Sequence, residues 1–314
     1  MKAVVINRFG GNDVVEIRDV PRPSAGPNDV LIKVHAASIN PVDWKTRSGM
    51  LKMVAGSRFP MVLGRECAGE VIEAGNLAKK FRKRDAVIAV PGIRSMGAFA
   101  EHAIAPEKTV FPKPKNIGFE EAASIPIAGL TALQALRDKG HIASGRKVLI
   151  NGASGGVGHI AVQIAKIFGA EVTAVCSGAN IGFVKSLGAD HAIDYRSEDF
   201  VKGSVSYDII FDAAAKRSFG DCKKALTSKG VYISTLPAVS VILNQYVTGF
   251  LTRKKARMIM VAPNEADMEW MKLQLEAGRI KIVIDKVYSL DKAKEALAYS
   301  ESGKARGKIV LKMI

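Results

Sequence analysis

In the first third of the chain apolar residues alternate with polar ones in short runs. KAVVI (Lys2 to Ile6), EIRDV, DVLIKVHAAS, AGEVIEAG, DAVIAVPG and AFAEHAIAP are rich in β-branched residues and are punctuated by Gly and Pro, the pattern of closely spaced strands. Such spacing predicts an all-β barrel or sandwich rather than a parallel sheet. From about Glu120 the pattern changes: EEAASIPIAGLTALQALRDKG carries apolar residues at helical spacing. Thereafter strand runs (VLING, EVTAVCS, HAIDY, YDIIFDAA, GVYIST, RMIMVA) alternate with helical ones (VGHIAVQIAKIFG, NIGFVKSLG, SFGDCKKALTSKG). Repeated β-α-β units predict a doubly wound parallel sheet. After Pro263 the order is helix (EADMEWMKLQLEAG), strand (KIVIDKVYSL), helix (KAKEALAYSESG) and a last strand, KIVLKMI.

Length and composition agree with two domains. At 314 residues the chain exceeds the usual single-domain size, and its 48% hydrophobic and 24% charged residues are ordinary globular proportions that supply a core. No apolar run reaches the ~18 residues of a spanning helix. The N-terminus MKAVVINRFGG alternates like a strand and lacks an apolar h-region, so no signal peptide is expected. Cys67, Cys176 and Cys222 are scattered and odd in number, which fits a reducing compartment, the cytoplasm, better than a disulfide scaffold. The net charge of +16 attracts nucleic acid, anionic lipid or phosphorylated ligands without choosing among them. Its densest run, KKFRKR (Lys79 to Arg84), lies between strand-like segments and reads as a solvated loop; TRKKAR (Thr252 to Arg257) reads as the polar end of a helix.

After the strand run ending at Ile150 comes Gly152-Ala153-Ser154-Gly155-Gly156-Val157-Gly158. From Ala153 it fits G-x-G-x-x-G with Ala in first place. Small residues there allow a tight turn, backbone approach to a pyrophosphate and close packing of helix on strand. A strand before, an amphipathic helix after and a second strand beyond make dinucleotide binding the expectation. The acid that usually follows about 20 positions on, to bind the ribose 2′-hydroxyl of NAD, is replaced near Ser177. A small neutral residue tolerates a 2′-phosphate, so NADPH is expected. Lys185 and Arg196 are the next cations downstream, each by default a solvent-facing charge.

These residues resemble a known family. ASGGVGHIAVQIAK, the asparagine motif Ser38-Ile39-Asn40-Pro41-Val42-Asp43-Trp44-Lys45, the turn Leu63-Gly64-Arg65-Glu66-Cys67-Ala68-Gly69-Glu70-Val71, ASIPIAGLTALQAL, KSLGADHAIDYR and GKIVL together resemble the quinone oxidoreductase branch of the medium-chain dehydrogenase/reductase superfamily. NPVDWK together with NIGFVKSLGAD is most similar to its chloroplast envelope and alkenal/one oxidoreductase members. The resemblance implies a GroES-like barrel (residues 1–122 and 263–314) with a Rossmann domain (123–262) inserted, and an active site in the cleft between them.

Alcohol dehydrogenases of that superfamily hold a catalytic zinc with an early cysteine and a histidine in a Gly-His-Glu turn. Here the first position falls in Ile39-Asn40-Pro41 and the second is Arg65, neither of which serves as a zinc ligand. The four-cysteine structural zinc cluster has no counterpart between Pro91 and Pro106, and His35, His102, His141, His159 and His191 show no paired metal spacing. No metal is expected. Hydride delivery to a simple ketone leaves an alkoxide that needs a Lewis acid or proton donor. Delivery to a quinone, or to the β-carbon of an enone, leaves a delocalised anion that demands less of the protein.

The resemblance puts Asn40 and Lys45 beside nicotinamide and substrate. Lys45, where some relatives carry Tyr, is either a donor to the substrate carbonyl or a plain loop lysine. Thr131 resembles a threonine that meets the cofactor near its nicotinamide end, and Ser177 and Tyr195 match positions near the 2′-phosphate. Ala179 stands where the nearest relatives have Arg, which keeps NADH use open. Leu236, in the turn Ser234-Thr235-Leu236-Pro237, lends backbone to the carboxamide; Lys308 approaches the cofactor from the tail or is a plain strand lysine. The expected function is a zinc-independent, NADPH-dependent reductase of quinones or α,β-unsaturated carbonyls acting on a small-molecule substrate, monomeric or homodimeric. Its charge permits peripheral contact with an anionic membrane and no obligatory nucleic acid. The alternative is a nucleotide-responsive RNA-binding or structural protein of the same branch.

Overall fold

The computed structural model describes residues 1–92, 97–235, 245, 248 and 252–313. Along the N-terminal part run β1 (Lys2–Ile6), β2 (Val15–Asp19), β3 (Asp29–Ile39), β4 (Met61–Val62), β5 (Cys67–Ala74), β6 (Ala86–Ala89), β7 (His102–Pro106) and β8 (Val110–Pro112), with helices α1 (Pro41–Arg47), α2 (Lys52–Ala55) and α3 (Phe119–Ala123). The middle holds α4 (Pro126–Gln134), β9 (Lys147–Asn151), α5 (Gly158–Ile167), β10 (Glu171–Cys176), α6 (Ile181–Ser186), β11 (His191–Asp194), β12 (Tyr207–Asp212), α7 (Phe219–Cys222), β13 (Leu226–Ser234) and β14 (Lys255–Met258). Helix Glu265–Glu276, β15 (Ile284–Ser289), helix Ala293–Glu301 and β16 (Lys308–Lys312) complete it.

Two compact units result. One joins Met1–Ile127, Pro263–Gly278 and Ile282–Ile314; the other is Ala128–Ala262 with Arg279–Lys281. The first break falls inside α4, after the 122/123 division that the resemblance implies; α3 packs on β3 and β5 of the first unit.

In the first unit, one sheet of described strands runs β15-β16-β3-β5-β6-β8, with β7 also on β3, and a smaller one runs β2-β1-β4. The hub is β3, whose residues Val30 to Ile32, Val34 and Ala36 to Ile39 are buried. It exchanges antiparallel bonds with β5, β7 and β16. Val4, Ile32, Leu63, Val87, Phe99 and Leu311 share its core. The C-terminal strand is thus integral to a sheet begun some 270 residues earlier.

In the second unit the described strands form a wholly parallel sheet, β11-β10-β9-β12-β13-β14. Helices on both faces bury such strands completely, which is why they read as continuous apolar runs: Val148 to Ile150, Val172 to Cys176 and Ile209 to Asp212 are all buried. This is the doubly wound parallel sheet that the pattern predicts and that the resemblance implies as a Rossmann domain.

Several elements differ from the sequence expectation. The single helix over Glu120 to Gly140 is α3, α4 and a π-turn at Ala135–Lys139; Pro126 has no N–H and cannot continue α3, but fits the start of α4. SFGDCKKALTSKG is helical only to Cys222, with a 3-10 turn to Ala225; Leu226 already pairs with Tyr207 in the sheet, so tertiary pairing overrides the helical spacing. TRKKAR ends in edge strand β14 beside β13, not in a helix end. KKFRKR is a loop, exposed except for Phe81.

Candidate active site

In the second unit the glycine turn follows β9 directly. Gly152 has φ +78, where side chains are strained, and a Cβ on it would approach Ala214 Cβ to 2.8 Å. A Cβ on Gly158 would stand 2.1 Å from Gly152 O, so α5 can pack this closely on the strand only as glycine. Gly155, at the outside of the turn, meets nothing nearer than Gly152 O at 3.4 Å. Ala153 is buried, and Ser154, Gly156 and Val157 are half-buried at the start of α5. Tight at its base and open at its crest, the turn fits the pyrophosphate of a dinucleotide. Asn151 Nδ2 donates to Asp212 Oδ1 at 2.8 Å, tying the ends of β9 and β12 beside it.

The adenosine end contains a group the sequence did not disclose. Asn180 Nδ2 lies 3.1 Å from Ser177 Oγ and 3.2 Å from Ser154 Oγ, linking the strand end of β10 to the turn. The missing carboxylate has a neighbour in space: a Cβ on Gly178 would stand 2.6 Å from Asp194 Oδ2. Parallel pairing sets Asp194 opposite Cys176, so an acid from β11 stands next to the place vacated on β10. Tyr195 is 56% exposed, and the Arg196 guanidinium carbon lies 5.9 Å from its ring centroid. Thr131 is buried on α4. Leu236 lies outside the described residues.

In the first unit three strand ends converge. Asn40 follows β3, Glu66 precedes β5, and Lys308 opens β16; the pairs Ile39↔Ile309 and Ala37↔Cys67 bring them together. Gly64 makes the approach to Glu66 possible: at φ +101 it lies against Phe99, where a Cβ would come within 2.5 Å of the Phe99 backbone N. Lys308 Nζ donates to Asn40 Oδ1 at 2.8 Å and to Glu66 Oε1 at 3.1 Å. Asn40 Nδ2 donates to the same Glu66 oxygen at 2.6 Å and to Ser38 O at 3.3 Å. Glu66 Oε2 accepts from Ile127 N at 2.7 Å. Glu66 and Lys308 are 0% and 2% exposed.

Next to this cluster Asp43, in the first turn of α1, accepts the Asn40 backbone N–H at Oδ2 (2.7 Å), while its buried Oδ1 has no partner among the described residues. Burial drives the Asp43 carboxyl up from 3.8 to about 7; the Asn40 bond opposes this, Glu66 adds to it, and Arg65 and Lys308 oppose it. Burial lowers the Arg65 guanidinium, whose Nε and Nη1 meet no acceptor among the described residues. The Cys67 thiol is pushed up to about 12 by burial and then by Glu66, so it stays a neutral core group.

Of the residues singled out from sequence, the fold joins Asn40 to Lys308 directly, and Ser177 to Ser154 through the Asn180 side chain. Lys45 projects from α1 with Nζ 5.4 Å from the Trp44 ring centroid. Sequence reading gave Glu66 and Asn180 no role; a carboxylate in a Gly-Arg-Glu turn before a buried strand was the only available signal for Glu66. Among the described residues no three His, Cys, Asp or Glu side chains are grouped to hold a metal ion.

Comparison with known proteins agrees with both halves of this layout. The family described as Alcohol dehydrogenase GroES-like domain matches residues 26–115, and that described as Zinc-binding dehydrogenase matches residues 187–311. The chain is 37% identical to the Chloroplast envelope quinone oxidoreductase homolog of Arabidopsis thaliana, over 99% of this chain and 98% of that one. It is 33% identical to the NADPH-dependent alkenal/one oxidoreductase, chloroplastic, of the same plant, over 99% and 79%. The solved quinone oxidoreductase from Coxiella burnetii superposes with a TM-score of 0.92 at 33% identity, covering 100% of this chain and 99% of that one. A glycine turn at the end of a parallel-sheet strand, a GroES-like unit that includes the C-terminal strand, and relatives of this kind matched over nearly their whole length have one meaning: the chain is an oxidoreductase of the quinone oxidoreductase branch of the medium-chain dehydrogenase/reductase superfamily.

Proposed function

We propose that the protein is a zinc-independent, NADPH-dependent reductase of quinones or of the carbon–carbon double bond of α,β-unsaturated carbonyls. The observation that carries this reading is the buried Asn40–Glu66–Lys308 cluster: amide, carboxylate and ammonium satisfy one another where zinc-dependent relatives of the superfamily assemble metal ligands. Arg65, the second such position, bears a cation, which repels a metal ion rather than binding it. Relatives named for quinone and for alkenal/one reduction give the substrate class.

When bound, the nicotinamide supplies hydride. The chain's own groups bind and orient: the turn Gly152–Gly158 takes the pyrophosphate, Ser154, Ser177 and Asn180 line the ribose end, and Tyr195 and Arg196 flank the 2′-phosphate. Thr131 belongs to the nicotinamide end. Lys45 presents an ammonium to the acceptor's oxygen. An acceptor that gains hydride at its β-carbon collects negative charge on that oxygen as an enolate, which hydrogen-bond donors stabilise without a Lewis acid; solvent protonates the α-carbon. Ser177 favours NADPH, and Asp194 together with Ala179 leaves NADH usable.

Initial rates of NADPH and NADH oxidation with a panel of 2-enals, enones and quinones, with and without chelator, test the reading. Turnover with NADPH that chelator leaves unchanged is expected. Chelator inhibition would remove the zinc-independent mechanism, and silence across the whole panel would remove the reductase assignment.

A further inference from the structure

The hairpin that joins β5 to β6 carries the densest charge of the chain. Between Leu77 and Asp85 stand five cations, Lys79, Lys80, Arg82, Lys83 and Arg84, and one acid. The fold fixes this turn instead of leaving it to solvent. Phe81, 7% exposed, anchors it in the core of the first unit. Gly75 N donates to Asp29 O, Leu77 N to Pro27 O and Arg84 N to Val71 O. The two nearest carboxylates are turned onto backbone: Asp85 Oδ2 accepts from Arg82 N at 2.7 Å, and Glu107 Oε1 from Lys80 N at 2.5 Å. The second of these bonds sets exposed Lys108 beside the hairpin. Lys80 pairs with Glu265 at 2.5 Å, while among the described residues Lys79, Arg82, Lys83 and Arg84 have no ion-pair partner. Arg84 lies at φ +77, in the left-handed region where a side chain is strained. A glycine would relieve that strain, so the fold keeps a cation where folding alone favours its loss. Leu77, in the same turn, is 61% exposed although its backbone is fixed.

We propose that this hairpin is the docking surface for an anionic membrane, with Lys79, Arg82, Lys83, Arg84 and Lys108 against the phosphate headgroups and Leu77 entering the apolar boundary beneath them. Successive residues lie well inside the Debye length of about 8 Å at physiological salt, so the cations act on a charged surface together. The net charge of +16 draws the whole protein toward the same surface. Nucleic acid is the other polyanion that such charge attracts. Single strands are held by aromatic side chains that stack on bases, and the aromatic of this run, Phe81, is buried in the core. An exposed leucine has no use against a phosphate backbone, whereas basic residues with an apolar neighbour suit the boundary of an anionic bilayer. A turn already fixed by backbone bonds loses little conformational freedom on docking. The inference stands apart from the reductase reading: it concerns where the protein sits, not what it reduces.

Cosedimentation of the full chain with vesicles tests this, using phosphatidylcholine alone and an equimolar mixture with phosphatidylglycerol. Wild type is expected on the mixed vesicles, absent from the neutral ones and released by added salt. Arg82→Gln, Lys83→Gln and Arg84→Gln together should lower the partition constant about 100-fold, about fivefold for each cation. Leu77→Ser should lower it about fivefold through lost apolar contact. Arg84→Gly should weaken binding about fivefold while raising the melting temperature, which separates the cation from the strain it carries. Lys202→Gln, Lys224→Gln and Lys229→Gln together remove the same charge from exposed lysines of the second unit, and should stay within about threefold of wild type. All these side chains are exposed, and thermal melts check that each variant is folded. Wild type that ignores the mixed vesicles would overturn the proposal. Equal losses in the two triple variants would do the same, since binding would then follow bulk charge and not the hairpin. So would a hairpin triple variant that loses affinity for a single-stranded RNA oligonucleotide while keeping its affinity for vesicles, which would make the hairpin a nucleic-acid surface.

Discussion

Lys308 Nζ stands 2.8 Å from Asn40 Oδ1 across 268 residues of sequence, with the Glu66 carboxylate bridging both. Removing only the carboxylate strands a buried ammonium. Glu66→Gln places an amide N–H where donors already point, and is expected to lower unfolding free energy by ~3–5 kcal/mol. Adding Lys308→Met removes the stranded charge and restores most of that loss. Chemical denaturation of both variants checks this, and equal stability of the single and double variants would show that the pair is not coupled.

Asp43 makes stability depend on pH in an unusual direction. Its carboxyl is held near pH 7 in the folded protein by burial, against 3.8 ordinarily, so between these values the folded state binds the proton that the unfolded state has lost. Stability from this group therefore falls as pH rises from about 4 to about 7, by up to ~1.4 kcal/mol per pH unit, and levels off above. The groups facing it are the Asn40 N–H, Glu66, Arg65 and Lys308. Denaturation of wild type and Asp43→Asn across this range should show the difference between them shrinking with rising pH; a constant difference would place the carboxyl at its ordinary value.

Two glycines of the nucleotide-binding unit should respond oppositely to a methyl group. Gly158→Ala sets a Cβ 2.1 Å from Gly152 O and 2.7 Å from Ala153 Cα, both backbone, and overpacking of this kind costs ~1–3 kcal/mol. NADPH affinity should fall at least about tenfold as the turn is displaced. Gly182, in α6, has nothing within 4 Å of its would-be Cβ, and Gly182→Ala should stabilise by ~0.5–1 kcal/mol. Thermal melts and cofactor titrations of the pair decide it.

Cofactor preference should follow the charges next to Ser177. The Arg196 guanidinium carbon lies 5.9 Å from the Tyr195 ring centroid, while the Asp194 carboxylate lies against Gly178. Arg196→Gln is expected to raise KM for NADPH about fivefold and leave NADH nearly unchanged, a change of ~1 kcal/mol for one screened charge. Asp194→Asn should act in the other direction. A parallel shift for both cofactors in either variant would remove these residues from 2′-phosphate recognition.

The sequence by itself determined the two kinds of architecture and their order along the chain. Alternation needs only neighbouring residues to be legible, and so does the glycine turn, whose small side chains sit in one short run between a strand and a helix. What depends on distant pairing was decided by the fold. Leu226 falls within a helical pattern yet opens a strand, because it pairs with Tyr207 of β12. Asp194 stands beside the vacant ribose acid because β11 pairs in register with β10. Lys308, a plain strand lysine as far as its neighbours in sequence show, becomes a buried, oriented ammonium because β16 returns to β3 and meets Asn40 and Glu66. Periodicity reports which face of an element is apolar; only three-dimensional register determines which polar groups are buried together, and there the chemistry of this site is set.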